Sequence, residues 1–325
     1  MFRNACGRGL VTRRVGAVDC GTNSIRLLVA DVGDDGLLTD VERRTEVVRL
    51  GQGIDRTGVI APEAMERTLA MSREYAARCR ELGAGAVRFV ATSASRDARN
   101  ADEFVTGVVA AFGDLDVAPE VVAGDVEARL SFTGATGDLR RLGVPGPYLV
   151  VDLGGGSTEL VRGTDDVEVG RSVDVGCVRM TERHLAGDPP TDDEVVAARA
   201  DVAAALDAAE ELVDLSGLGA VVGLAGSITT VTAHALGLGR YDRDAIHLAE
   251  VPLDAHRAAC RELLAMSRTE RAALPYMHPG RVDVIGAGAL VWHEVLGRVA
   301  VRSDGVRVVT SEHDILDGIA LSVAR

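Results

Sequence analysis

Two short segments place an aspartate directly ahead of glycine and small polar residues: Asp19-Cys20-Gly21-Thr22-Asn23-Ser24 and Asp152-Leu153-Gly154-Gly155-Gly156-Ser157-Thr158. Glycine lets the backbone turn and approach a ligand closely. Successive N–H groups in such a turn form a nest for an anion. Thr22, Asn23, Ser24, Ser157 and Thr158 add side-chain donors. An aspartate at the strand end is badly placed to hold phosphate itself, but well placed to hold a hydrated Mg²⁺ that phosphate then binds. Either segment alone also fits a glycine-rich hairpin turn capped by aspartate. Two of them at matched positions point to phosphate.

Other segments add to this chemistry. Thr92, Ser93, Ser95 and Arg96 follow one strand-like run and precede a helix-like one, a place where anions bind and an arginine can clamp them. Gly226 and Ser227 occupy the corresponding loop later in the chain. The first loop also fits a polar loop with a surface arginine, and the second simple close packing. Glu127 sits near the start of an expected helix, where a carboxylate could take a proton from an attacking water. The macrodipole alone also favours a glutamate there, and on the residues alone that reading is preferred.

The elements that position these residues repeat. The run from Val15 reads strand, tight turn, strand, with a third strand over Thr39–Leu50 and a helix from Pro62. AVRFVAT is a buried strand, a helix starts near Asn100, VAPEVVAG is a strand, and a helix opens with GDVEARL. PYLVVDLGGGSTELVRG then restarts the pattern, with a capping-box helix from Thr191 and a strand at GAVVGLAG. One offset of 133 residues lays Asp19 on Asp152, Gly21 on Gly154, Ser24 on Ser157 and Arg26 on Glu159. Two βββαβα units imply two α/β lobes with a ligand cleft between them. The expected divisions are a loose basic leader over 1–14, lobe I over 15–133, lobe II over 134–311, and a C-terminal helix over 312–325 returning to lobe I.

Composition narrows the chemistry. The chain has 325 residues, 47% of them hydrophobic, so it can build a large core. Its net charge of −14 and 3% aromatic content argue against binding a nucleic-acid polymer. All 35 basic residues are arginine, which excludes a Walker A lysine and Schiff-base catalysis. The five cysteines are odd in number and lack CxxC spacing, and no secretory signal is visible, which fits reduced thiols in a cytoplasm. The seven histidines show no HExxH or paired spacing, so a zinc site is not expected. The uncharged stretch 216–239 holds too many glycine and hydroxyl residues for a membrane span, and reads as strand, glycine loop and helix.

These residues resemble the actin, sugar-kinase and heat-shock-chaperone ATPase superfamily, whose lobes are ribonuclease H-like. Within it the chain resembles the Ppx/GppA family of exopolyphosphatases and guanosine pentaphosphate phosphohydrolases, from about Val15 onward. The resemblance rests on AVDCGTNSIRLLVA, ATSASRDA, GDVEARLSFTG, VVDLGGGSTEL, VGCVRMTE, VGLAGSITT and DILDGI. It implies that Glu127 is the base that activates water. It implies that Asp152 and Glu159 hold Mg²⁺ or Mn²⁺, with Asp19 joining through water. Asn23, Ser24, Arg96, Gly155, Gly156 and Ser157 fall on phosphate-contacting positions, and Arg26 near the phosphate chain. Val126 replaces the acid that many members carry before the base. The ligand expected is polyphosphate or a guanosine alarmone, bound by a homodimer without membrane contact. Two rivals remain open: a small-molecule kinase of the superfamily, and a non-catalytic alarmone-binding regulator.

Overall fold

Alternating β-branched and small residues build the strands, and the glycine turns fold them back on one another. In the computed structural model, which describes residues 12–34 and 36–323, strands β1 (Arg13–Cys20), β2 (Ser24–Val32) and β3 (Leu38–Val47) form an antiparallel meander. β4 (Ala86–Ala91) lies parallel to β1 on its other side, and β5 (Glu120–Val121) parallel to β4, giving the order β3-β2-β1-β4-β5. The second unit repeats this with β6 (Tyr148–Leu153), β7 (Thr158–Gly163), β8 (Val167–Val173), β9 (Ala220–Leu224) and β11 (Arg307–Thr310) in the order β8-β7-β6-β9-β11. A short β10 (Ala249–Glu250) adds an antiparallel edge. The duplicated two-lobe α/β architecture expected from the repeat is therefore present. β5 is far shorter than VAPEVVAG promised. Pro119, directly before it, cannot donate to a ladder, and the chain leaves the sheet at Val122 for the next helix.

In the first half the helices are α1 (Ile54–Thr57), α2 (Pro62–Glu81), α3 (Ser93–Asp97), α4 (Ala101–Phe112) and α5 (Gly124–Arg141). The second half adds α6 (Cys177–His184), α7 (Asp192–Glu210), α8 (Ala225–Ala235), α9 (Arg243–Ile246), α10 (Leu253–Ala265), α11 (Arg268–Ala272), α12 (Ile285–Arg302) and α13 (Ile315–Val323). Pro62 opens α2, and the Thr191–Glu194 capping box starts α7. β9 runs directly into α8 at Ala225, with no intervening loop in the uncharged stretch. Among the described residues no helix is long and apolar enough to cross a membrane. Residues 1–11 of the expected leader lie outside the described residues, and Arg13 and Arg14 already belong to β1.

Two helices fix the relation of the sheets. One face of α5 (Ala128, Phe132, Ala135, Leu139) packs on Tyr148, Val150, Val161 and Val222 of the second sheet. α13 packs Ile315, Leu316, Ile319 and Ala320 on Val15, Ala17, Leu28 and Val90 of the first sheet, with Leu130 of α5. Each fully buried aliphatic side chain there contributes about 1.5–3 kcal/mol. The helices meet backbone to backbone: a Cβ at Gly134 would lie 1.9 Å from the Asp314 carbonyl oxygen, and one at Gly318 2.0 Å from that of Leu130. α5 thus runs unbroken through position 133/134 and touches both halves of the molecule.

Candidate active site

A cleft of about 500 Å³ opens where the two glycine turns face each other. Its walls include Asp19, Gly21, Thr22, Asn23, Ser24 and Arg26 of the first turn, and Asp152, Gly154, Gly155 and Ser157 of the second. Thr92, Ser93, Glu127, Gly226 and Ser227, also expected from sequence, line it too. The turns touch because glycine leaves room. A Cβ at Gly155 would meet the Thr22 Cβ at 2.9 Å, and one at Gly156 the Ser93 Oγ at 2.6 Å. Thr22 and Ser93 share a hydroxyl hydrogen bond of 2.8 Å. Ala225 enters α8 at φ 66°, a left-handed conformation costing about 1–2 kcal/mol for an L-residue, beside the cleft.

Register decides the charges. Across β1–β2, Asp19 pairs with Arg26; across β6–β7, Asp152 pairs with Glu159. The first pair is an ion pair at 2.6 Å, and the second puts two buried acids side by side. Asp152 accepts from Ser131 at 2.5 Å. Glu159 accepts from Ser157 at 2.8 Å and Ser172 at 2.7 Å. Burial, then the charges of Glu159 and Asp314, push the Asp152 carboxyl up. Burial also raises Glu159, against its serine bonds. Glu127 is raised well above the usual carboxylate range by burial and then by Glu159, with Arg96 opposing at 3.1 Å. A raised carboxyl in the wall of a polar cleft is suited to exchange a proton with water.

Several expected phosphate residues are placed elsewhere. Arg96 stands behind Glu127, donating to it and to the Val122 carbonyl (2.9 Å), and is not part of the cleft wall. Thr158 donates to the Val175 carbonyl and is buried. Gly156 lies against Ser93 rather than open space. Glu159, only 1% exposed, is also outside the wall. Arg26 lines the cleft, but Asp19 and Asp314 share its guanidinium. Sequence reasoning missed the cleft's far side: Arg43, Tyr241, Arg243, Arg281, Glu312 and Asp314. Arg43 is bound to Asp317 at 2.5 Å and Asp40 at 2.8 Å, and Arg243 to Glu312 at 3.1 Å. Arg281 donates to Thr230 at 3.3 Å and lies over the Tyr241 ring. DILDGI signalled the region of Asp314; nothing local marked the others.

The acids fit a divalent cation in one particular way. Among the described residues, Asp19, Asp152, Glu159 and Glu127 do not bring three donor atoms within 4.8 Å of one another. Serine bonds and Arg26 hold them apart. An all-protein cage is therefore absent, but Mg²⁺ characteristically uses one or two carboxylates, several waters and substrate phosphates. The mutual repulsion of Asp152 and Glu159, with hard oxygen donors only, suits that mode.

Residues 28–323 match the model of the Ppx/GppA phosphatase family. Exopolyphosphatase 2 of Mycobacterium tuberculosis is 50% identical over 316 residues, 96% of this chain and 98% of that protein. A guanosine-5'-triphosphate,3'-diphosphate pyrophosphatase of Pseudoalteromonas atlantica is 35% identical over 201 residues, 61% of this chain and 37% of that one. The crystal structure of an exopolyphosphatase-like protein superposes with a TM-score of 0.91 at 44% identity, covering 96% of this chain and 97% of that chain.

Proposed function

The chain belongs to the Ppx/GppA phosphatase family, and from that premise we propose that it removes the terminal phosphate of inorganic polyphosphate or of guanosine pentaphosphate, in the cytoplasm. The observation that carries this reading is Glu127: a buried carboxyl, its proton affinity raised by burial and by Glu159, in the wall of a cleft made by two glycine turns. Water attacks the terminal phosphorus in line, and the Glu127 carboxylate takes its proton. Gly21 and Gly154 close the turns by donating to the Ser24 and Ser157 carbonyls (2.9 and 3.0 Å), and the N–H groups of Thr22, Asn23 and Gly155 inside them meet charge that builds on the phosphoryl oxygens. Arg96 orients Glu127 through its 3.1 Å bond. Asp152, supported by Asp19 and Glu159, would hold Mg²⁺, which neutralises phosphate charge.

The same geometry favours short chains. Arg26, Arg43 and Arg243 face the cleft with acids already bound to them, and the net charge is −14. A long polyanion needs a long cationic track. A few phosphates are gripped and the remainder of a long chain is not, so hydrolysis is distributive. Moderate salt screens the repulsion outside the cleft and raises activity on long chains. A homodimer that aligned arginines of two copies would reverse this. Phosphate release should be measured side by side on polyphosphates of defined length and on guanosine pentaphosphate. On a long chain, intermediate lengths should accumulate. Only untouched and fully degraded chains would overturn the short-chain reading, and absence of phosphate release from every substrate would overturn the activity.

A further inference from the structure

Outside the cleft, three side chains from distant parts of the sequence converge. Asp138 lies in the last turn of α5, His247 just after α9, and His313 in the loop between β11 and α13. Each offers a ligand atom, and these atoms all lie within 4.8 Å of one another. The same Asp138 oxygen, Oδ2, is 2.6 Å from His313 Nδ1 and 3.4 Å from His247 Nε2. All three side chains are partly exposed, so an ion can reach them. We propose that Asp138, His247 and His313 form a transition-metal site, with zinc as the class of ion it fits.

Two imidazoles and one carboxylate are a borderline-soft set that selects zinc over magnesium, with the fourth tetrahedral position left to water. The surroundings resemble a second shell. Arg141 donates to the other Asp138 oxygen at 2.5 Å, leaving Oδ2 for the metal. His313 turns its remaining nitrogen, Nε2, toward Asp317 at 4.0 Å. His247 Nδ1 accepts the Glu312 backbone N–H at 3.2 Å. Ligation through Nε2 moves the His247 proton to Nδ1 and gives up that one long bond. Binding also displaces the proton shared by His313 and Asp138, so uptake weakens as pH falls. The ion would tie the end of α5, which carries Glu127 near its start, to the loop that carries Glu312 and Asp314 into the cleft wall.

The test uses full-length protein stripped by chelator, with Mg²⁺ in excess to occupy the cleft. Zn²⁺ is titrated calorimetrically, and Co²⁺ is followed by its visible absorption. One equivalent of each should bind, with a rise in Tm. His247→Ala, and separately His313→Gln, should abolish this uptake. Arg141→Gln, which keeps all three ligands, should weaken it about 10–100-fold. Asp152→Asn, in the cleft, should leave it unchanged. Absence of stoichiometric uptake, uptake unaffected by His247→Ala in folded protein, or loss of uptake in Asp152→Asn would each overturn the site. None of these readouts depends on phosphate release, so the result is independent of the proposed activity.

Discussion

Arg26, on the strand leaving the first glycine turn, donates to the carboxylate of Asp314, 288 residues further along the chain. Asp19 takes the other side of the same guanidinium. Despite burial, Arg26 and Arg43 hold the Asp314 carboxyl below the usual carboxylate range. Removing one partner of a buried pair leaves the other charge uncompensated, at about 3–5 kcal/mol. Asp314→Asn should therefore lower stability by up to that amount in chemical denaturation. Together with Arg26→Met it should show a coupling of at least about 0.5 kcal/mol. Strict additivity would mean that the two residues do not support each other.

Glu127→Gln should keep ligand binding and lose about 10²–10⁴-fold in turnover, the usual cost of a missing general base. Phosphate release and equilibrium binding are measured on the same preparation. Arg96→Gln removes the bond that orients Glu127, and should lower turnover by less. Turnover of folded Glu127→Gln equal to wild type takes the residue out of the mechanism.

Asp152 lines the cleft and Glu159 lies behind it, on Ser157 and Ser172. Asp152→Asn should raise the Mg²⁺ concentration for half-maximal activity more than Glu159→Gln does. If rate falls in Asp152→Asn while the Mg²⁺ midpoint stays put, Asp152 does not hold the ion.

Gly134→Ala puts a methyl group 1.9 Å from the Asp314 carbonyl oxygen, and Gly318→Ala puts one 2.0 Å from that of Leu130. Backbone cannot yield as a side-chain tip can, and overpacking costs about 1–3 kcal/mol or more. Each variant should lose Tm and activity together, because α13 carries the segment that holds Arg26. A wild-type Tm in both would show that the helices need not touch.

His256 is fully buried against Trp292, and burial pushes its pKa down from 6.5 to about 4. The folded state thus prefers the neutral ring, while the unfolded chain takes up a proton below about pH 6.5. The contribution of His256 is complete above pH 6.5 and is lost as pH falls toward 4, by at most about 1.4 kcal/mol per pH unit. His256→Gln should flatten the stability profile between these limits in denaturant titrations. An unchanged slope would place the acid sensitivity elsewhere.

Much of this protein is written locally. Strand period, glycine turns and the 133-residue offset are short-range patterns, so both βββαβα units and both turns could be read before any contact was known. The same holds for Glu127, Asp152 and the Thr191 capping box, whose positions follow from the element that carries them. What a side chain meets is a different matter. Arg26 looks like a phosphate ligand until Asp314 takes it. Arg96 looks like a clamp until it turns to Glu127. The histidines show no metal spacing in sequence, yet 247 and 313 meet at Asp138. Each of these pairings joins residues whose separation in the chain carries no period. Only the packing of elements distant in the chain, α5 against α13 and α3 among them, brings them within reach, and so decides which charges are neutralised and which remain for a ligand.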